Sequence, residues 1–169
     1  MIGASDLTAT WDQFADRLLL IARSMGGSAE DAVQEAFIVL ARQPEMPDNP
    51  LAWLVAVCRN LQRESHRRER RRRARESRVG RQEWFDRDVN LVDSQLDAGA
   101  VTEALMRLSS PTREIIVMRV WGEMTFESIA DVVELSRATV HREFHDGLKK
   151  LKLTFDIEPQ PESMRLCHE

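Results

Sequence analysis

Apolar residues return every three or four positions from the start of the chain. Leu7, Trp11, Phe14, Leu18, Ile21 and Met25 fall on one side of a 3.6-residue helix. Gly26 and Gly27 end that pattern. Ser28 opens a second helix, with Asp31 three residues on in the spacing of a capping box. Its inward face is Val33, Ala36, Phe37 and Leu40. Pro44, Pro47 and Pro50 bound a short loop, in which Asn49 suits an N-cap and Pro50 the first helical position. A third helix turns Trp53, Leu54, Val57 and Leu61 inward. After Leu61 the apolar rhythm stops and arginines begin, so a helix continuing there either projects into solvent or meets something charged.

The rhythm resumes near Ala98. Val101, Leu105 and Leu108 mark one helix. Ser110 with Pro111 caps the next, which carries Ile115, Ile116 and Met118 and stops at Gly122. Thr125 caps a third, with Phe126, Ile129, Ala130 and Val133. Ser136 caps a fourth, with Val140, Phe144, Leu148 and Leu151. The expected fold is therefore all-α: two small helical bundles, at 5–80 and 99–155, joined by a flexible linker at 81–98 and followed by a flexible tail at 156–169. The linker reads as acidic because Glu83, Asp86, Asp88, Asp93 and Asp97 face only Arg87 between residues 82 and 98.

Composition agrees with helices: there are seven Gly, six Pro and no Tyr in 169 residues, and the 43% apolar content is enough for a packed core. No apolar run reaches the roughly 20 residues that span a bilayer, and Met1 to Thr10 lacks the pattern of a signal peptide. Cys58 and Cys167 offer no disulfide framework, which fits a reducing cytoplasm. Charge changes the picture more. Residues 59–81 hold eleven Arg against three Glu, a net of +8 inside a chain whose total is −4. Such a block suits a polyanion, and a solvated arginine-rich linker is the plainer alternative.

Residues 125–145 meet the demands of a helix-turn-helix. Ala130 is small where the second helix must cross closely, Glu134 stands at the turn, and Val133 and Leu135 flank it. Val140 anchors the second helix. The opposite face then carries Arg137, Thr139, His141 and Arg142, behind the cap Ser136, where base edges and phosphates of a major groove can be reached. Glu143 or Asp146 stands close enough to hold one of those arginines in an intrahelical pair. Glu134 occupies a position where a positive φ favours Gly, a cost of about 1 kcal/mol.

Both halves together resemble a known family. Ala29 to Phe37 (AEDAVQEAF) is similar to the polymerase-binding helix of bacterial sigma factors. Asn49-Pro50-Leu51-Ala52-Trp53-Leu54, then Cys58-Arg59-Asn60-Leu61 and Arg67-Arg68, resembles the promoter-melting helix that follows it. Leu108 to Glu114 (LSSPTRE) and on to Arg119 resembles the opening of the family's C-terminal module, which the helix-turn-helix closes. The ordered set covers about residues 7–152, and its size resembles the extracytoplasmic-function (ECF) type.

The resemblance implies a factor that binds core RNA polymerase and directs promoter recognition, melting and initiation. It implies polymerase contact through Asp31, Gln34 and Glu35, for which helix-dipole stabilisation is the alternative explanation of the two acids. It implies contact with the −10 element through the Gln43–Asn49 loop and Asn49, Trp53, Arg59, Asn60, Arg63 and Arg67. Trp53 could stack on a base, although its spacing suits the core. The −35 element falls to Ser136, Arg137, Thr139, His141 and Arg142. The partners are then core RNA polymerase and promoter DNA, with an anti-sigma factor as a candidate third and no membrane insertion. The chain is expected not to be an enzyme: Cys58 and Cys167 have no partnered base, no glycine-rich phosphate loop occurs, and His66, His141, His145 and His168 lack ligand spacing with the cysteines, so no cofactor or metal is expected. The rival is a stand-alone helix-turn-helix regulator, which leaves the first half unexplained. If the arginine block works on phosphates, Arg70, Arg71, Arg72 and Arg73 changed together to Ala flatten the salt dependence of DNA binding. The log–log slope falls by about 0.7 to 0.9 for each phosphate no longer neutralised, and an unchanged slope assigns those arginines to solvent.

Overall fold

A computed structural model describes residues 2–73 and 98–155, without the side chains of residues 69, 70, 72 and 73. The expected acidic linker and tail, and the arginines from Arg75 on, lie outside the described residues. Among those residues every element is a helix: α1 (Ala4–Met25), α2 (Ala29–Ala41), α3 (Pro50–Arg73), α4 (Ala98–Met106), α5 (Ser110–Val120), α6 (Phe126–Val133) and α7 (Arg137–Phe155). None is long and apolar enough to cross a membrane.

Helices α1, α2 and α3 pack on one another, and α5, α6 and α7 do the same with α4 at their edge. These are the two expected bundles. They do not stand apart. α5 lies against α1 and α6 against α3, and the buried residues form one continuous cluster through both. α5 explains why: Ile115, Ile116, Val117 and Met118 are consecutive and all but fully buried, so this helix is covered on every side. Gly122, just past its end, is pressed against α1. A Cβ there would stand 2.9 Å from Ile21 Cδ1 and 2.5 Å from the Met118 carbonyl oxygen. Gly147 plays the same part inside the second bundle, where a Cβ would meet Thr112 and Ile116 at 2.6 Å.

Several local expectations shift by a residue or a face. Ser28 does not cap α2 through the backbone; its hydroxyl donates to the Asp31 carboxylate at 2.6 Å. α5 begins at Ser110 with Ser109 as N-cap, one residue ahead of the expected start, because the Ser110 hydroxyl turns to the Glu114 carboxylate. Trp11, expected inside, is 43% exposed and leans on Phe37 with ring centroids 4.8 Å apart. α3 buries Leu54, Val55, Cys58 and Gln62 against the first bundle, while Val57 and Leu61 are only half-buried. It also buries Arg59, on a second face that no apolar rhythm announces.

The caps at Asn49, Thr125 and Ser136 hold as expected. Asn49 Oδ1 accepts from the Ala52 N–H, Thr125 Oγ1 from Ser128 and Ser136 Oγ from Thr139, each at 3.1 Å. Glu134 closes α6 in the left-handed region at φ 60°, ψ 40°. Its side chain is exposed and, among the described residues, meets Arg63 alone, at 3.8 Å. Glu134→Gly should therefore raise stability by about 0.5–1 kcal/mol, the left-handed penalty removed less the extra freedom of the unfolded chain. Urea denaturation measures it, and a loss of stability would show that the Arg63 contact outweighs the strain.

Candidate nucleic-acid and polymerase interface

Three surfaces follow from this packing. The first lies on α2. Ala32, Val33, Ala36, Phe37 and Leu40 bind it to the core, and the remaining face shows Asp31, Gln34, Glu35 and Ile38 to solvent, the last 45% exposed. Asp31 and Glu35 border a cavity of about 280 Å³ between α2 and α3, with Gln62 at its lining. Gln62 Nε2 donates to the Ala22 carbonyl at 2.9 Å, and its buried Oε1 has no partner among the described residues. Two exposed carboxylates and an amide on adjacent turns can take guanidinium or ammonium groups from a partner helix.

The second surface is the helix-turn-helix. Val140 is fully buried and Ala130 nearly so, which seats α7 across α6. Leu135, expected to pin the turn, is 39% exposed; what it contributes is its N–H, bonded to the Ala130 carbonyl at 3.1 Å. Ser136, Arg137, His141 and Arg142 are exposed and Thr139 is half-buried. Neither acid of α7 ties up an arginine. Glu143 accepts from the Thr112 hydroxyl at 2.7 Å, and Asp146 faces Lys149 at 3.8 Å. The expected intrahelical pair is absent because Glu143 turns inward to α5. Among the described residues Arg137 and Arg142 have no carboxylate partner. His141 and His145 share a hydrogen bond, Nε2 to Nε2 at 3.1 Å. Burial, then the neighbouring His141 and Lys149, hold His145 below the usual imidazole range. The folded chain therefore favours its neutral form, and stability falls as the pH drops below that range.

The third surface is where expectation and structure part. The residues assigned to the −10 element do not form one open face. Asn60 and Arg67 are exposed, and Trp53 is half-buried against the core. Arg59 is 7% exposed and held at two donors: Nε donates to Glu114 Oε2 at 2.8 Å and Nη1 to the Val132 carbonyl at 3.1 Å. Both acceptors belong to the second bundle. Asn49 Nδ2 donates to Ser128 Oγ at 3.3 Å, and Arg63 meets Glu134 at 3.8 Å, again across the bundles. Arg113 of α5 returns the exchange, its Nε bonded to the Ser24 carbonyl at 2.8 Å. Burial lowers its pKa, offset by Glu114 beside it.

Glu114 is the residue that the sequence pattern does not single out. It is 6% exposed and carries both Arg59 and the Ser110 hydroxyl on its two oxygens. The available signal is an acid standing directly before the buried run Ile115 to Met118. Among the described residues no group of three or more His, Cys, Asp or Glu could hold a metal ion. Burial pushes the Cys58 thiol up to about 12, so it is inert and its role is packing.

Comparison with known proteins fits both halves in order. Residues 11–72 match the family model for sigma-70 region 2, and residues 98–151 match that for sigma-70 region 4. The ECF RNA polymerase sigma factor SigL of Mycobacterium tuberculosis is 28% identical over 160 residues, covering 89% of each chain. The fold is similar to that of the sigma factor RpoE from Bartonella quintana, crystallised with the anti-sigma factor NepR: TM-score 0.75 and 23% identity, over 92% of this chain and 100% of that one. It is also similar to CnrH in complex with the cytosolic domain of CnrY, with TM-score 0.60 and 22% identity over 93% and 92% of the two chains. Two sigma-70 models in the family's own order span both bundles, and the chain belongs to the sigma-70 family of RNA polymerase sigma factors, in its extracytoplasmic-function group.

Proposed function

We propose that this chain joins core RNA polymerase through the α2 face and directs initiation at promoters read by the two bundles separately. Asp31, Gln34 and Glu35 hold the polymerase. The Gln43–Asn49 loop and α3 take the −10 element as separated strands, with Asn49, Arg59, Asn60, Arg63 and Arg67 on its bases and backbone. α7 reads the −35 element as duplex through Arg137, Arg142, His141 and Thr139, with Ser136 holding the helix start. The acidic segment 81–98 serves as the tether that lets the two readers sit apart on DNA. The protein acts by binding and not by catalysis and works in the cytoplasm. It is open to silencing by an anti-sigma factor, a reading supported by the RpoE–NepR complex, whose sigma factor shares this fold.

The observation that carries this reading is the ordered pair of family matches on a chain whose α2 carboxylates and α7 arginines both face solvent. A stand-alone helix-turn-helix regulator accounts for α6 and α7 only and leaves the match over residues 11–72 without a purpose. Asp31→Ala combined with Glu35→Ala should lower affinity for core polymerase by at least about 100-fold, because two charge-assisted hydrogen bonds are removed. Duplex binding by the second bundle should be unchanged. Competition against the wild-type chain for core polymerase checks it, and equal competition by the double mutant removes the α2 assignment.

A further inference from the structure

We propose that His141 and His145 form a two-imidazole site on α7 for one late first-row divalent ion (Zn²⁺, Ni²⁺ or Cu²⁺), and that an ion held there takes His141 out of promoter contact. The second half rests on the assignment of α7 to the −35 element; the site itself does not. Its warrant is geometric. A histidine nitrogen binds such an ion at about 2.0–2.1 Å. Two of them on one ion, at square or tetrahedral angles, therefore stand about 2.9–3.4 Å apart. The two Nε2 atoms lie 3.1 Å apart, already at that separation, and they converge, since the ring centroids are 4.3 Å apart. One helical turn brings them together, because residues four apart share a face.

The rings are braced before any ion arrives. Phe126 meets His141 edge-on with centroids 5.1 Å apart, and Phe144 meets His145 in the same way at 5.4 Å. The two phenylalanines pack on each other at 5.4 Å. Both histidines are exposed, so water can complete the coordination. Charge selects the ion. Lys149 stands beside His145, Asp146 faces that lysine at 3.8 Å, and Glu143 is turned inward to Thr112. The ring pair thus offers nitrogen without a carboxylate, which suits late first-row ions and not Mg²⁺ or Ca²⁺, whose ligands are oxygens. The favoured neutral form of His145 keeps a lone pair for the metal. The proton now shared between the two Nε2 atoms passes through solvent to Nδ1 of its own ring, so both Nε2 lone pairs are freed with no change in net charge. Once His141 Nε2 is bound to the ion, it no longer meets a base edge or a phosphate.

The test uses the full chain with Cys167→Ser and His168→Asn, so that neither of those donors takes part. Zinc chloride is added while the imidazole ring protons are followed by NMR. Of the four histidines, His66, His141 and His145 remain. The signals of His141 and His145 should move together and saturate at one ion per chain, while those of His66 stay in place. His145→Gln should weaken zinc binding by more than the roughly tenfold that loss of a ligand's outer hydrogen-bond partner costs. A duplex enriched from a random pool by the metal-free chain then reads the consequence. Zinc should cut its advantage over a scrambled duplex about fivefold, the worth of one base contact, in the parent chain and not in His145→Gln. The site is overturned if the two signals stay in place under excess zinc, if His145→Gln binds zinc as tightly as the parent, or if one ion is shared by two chains. The loss of promoter contact is overturned if zinc fills the site and the duplex preference does not change. A metal-free chain that enriches no duplex removes the −35 assignment, and the second half of the proposal with it, and leaves the zinc site standing.

Discussion

A guanidinium cannot leave water without partners, and Arg59 in the middle of α3 is almost entirely out of it. The partners come from the other half of the molecule, Glu114 of α5 and the Val132 carbonyl of α6. That one requirement ties the two bundles together more specifically than the apolar contact around it. Buried ion pairs add little to net stability, because desolvation cancels most of the attraction. Removing one partner of such a pair costs about 3–5 kcal/mol. The pair therefore acts as a test of register: the bundles close in the arrangement that satisfies Arg59 or they do not close.

The same requirement explains why functional surfaces differ so much in exposure. α2 needs nothing from the second bundle, so its carboxylates stay in solvent. α7 packs by Val140 and Gly147 onto its own bundle, so Arg137 and Arg142 remain outward. α3, like α1, lies against both bundles. It is amphipathic toward α1 and α2 and carries on its other side the polar residues that a promoter strand would meet. In the closed chain those residues meet polar groups of α5 and α6 instead.

Most of the helices are legible in the sequence because they are amphipathic in a plain 3.6 rhythm, and three open on a cap that the structure keeps, at Asn49, Thr125 and Ser136; α5, covered on every side, is the exception. The left-handed turn at Glu134 is legible too, strain included. What the rhythm does not tell is which polar residues a second core covers. Periodicity sees one apolar stripe, and Arg59 and Glu114 lie on buried faces without being apolar. Trp11 and Leu135 err the other way: Trp11 sits on the apolar stripe of α1 yet is 43% exposed, and Leu135, in the turn between α6 and α7, is apolar yet 39% exposed. The exposure of Asp31, Gln34 and Glu35 needs only the helix phase, and so does that of Arg137 and Arg142. The hidden state of Asn49, Arg59 and Arg63 needs the tertiary contact.

The property on which everything else turns is that this chain gives a polymerase a choice of promoter. The direct measurement is transcription by bacterial core polymerase from a library of promoters randomised at both the −35 and −10 elements, with and without the chain. The expected result is that transcripts begin only when the chain is present, from a set of promoters sharing one upstream and one downstream motif at fixed spacing. Transcripts that are absent with the chain, or that start from the same promoters without it, would contradict that role.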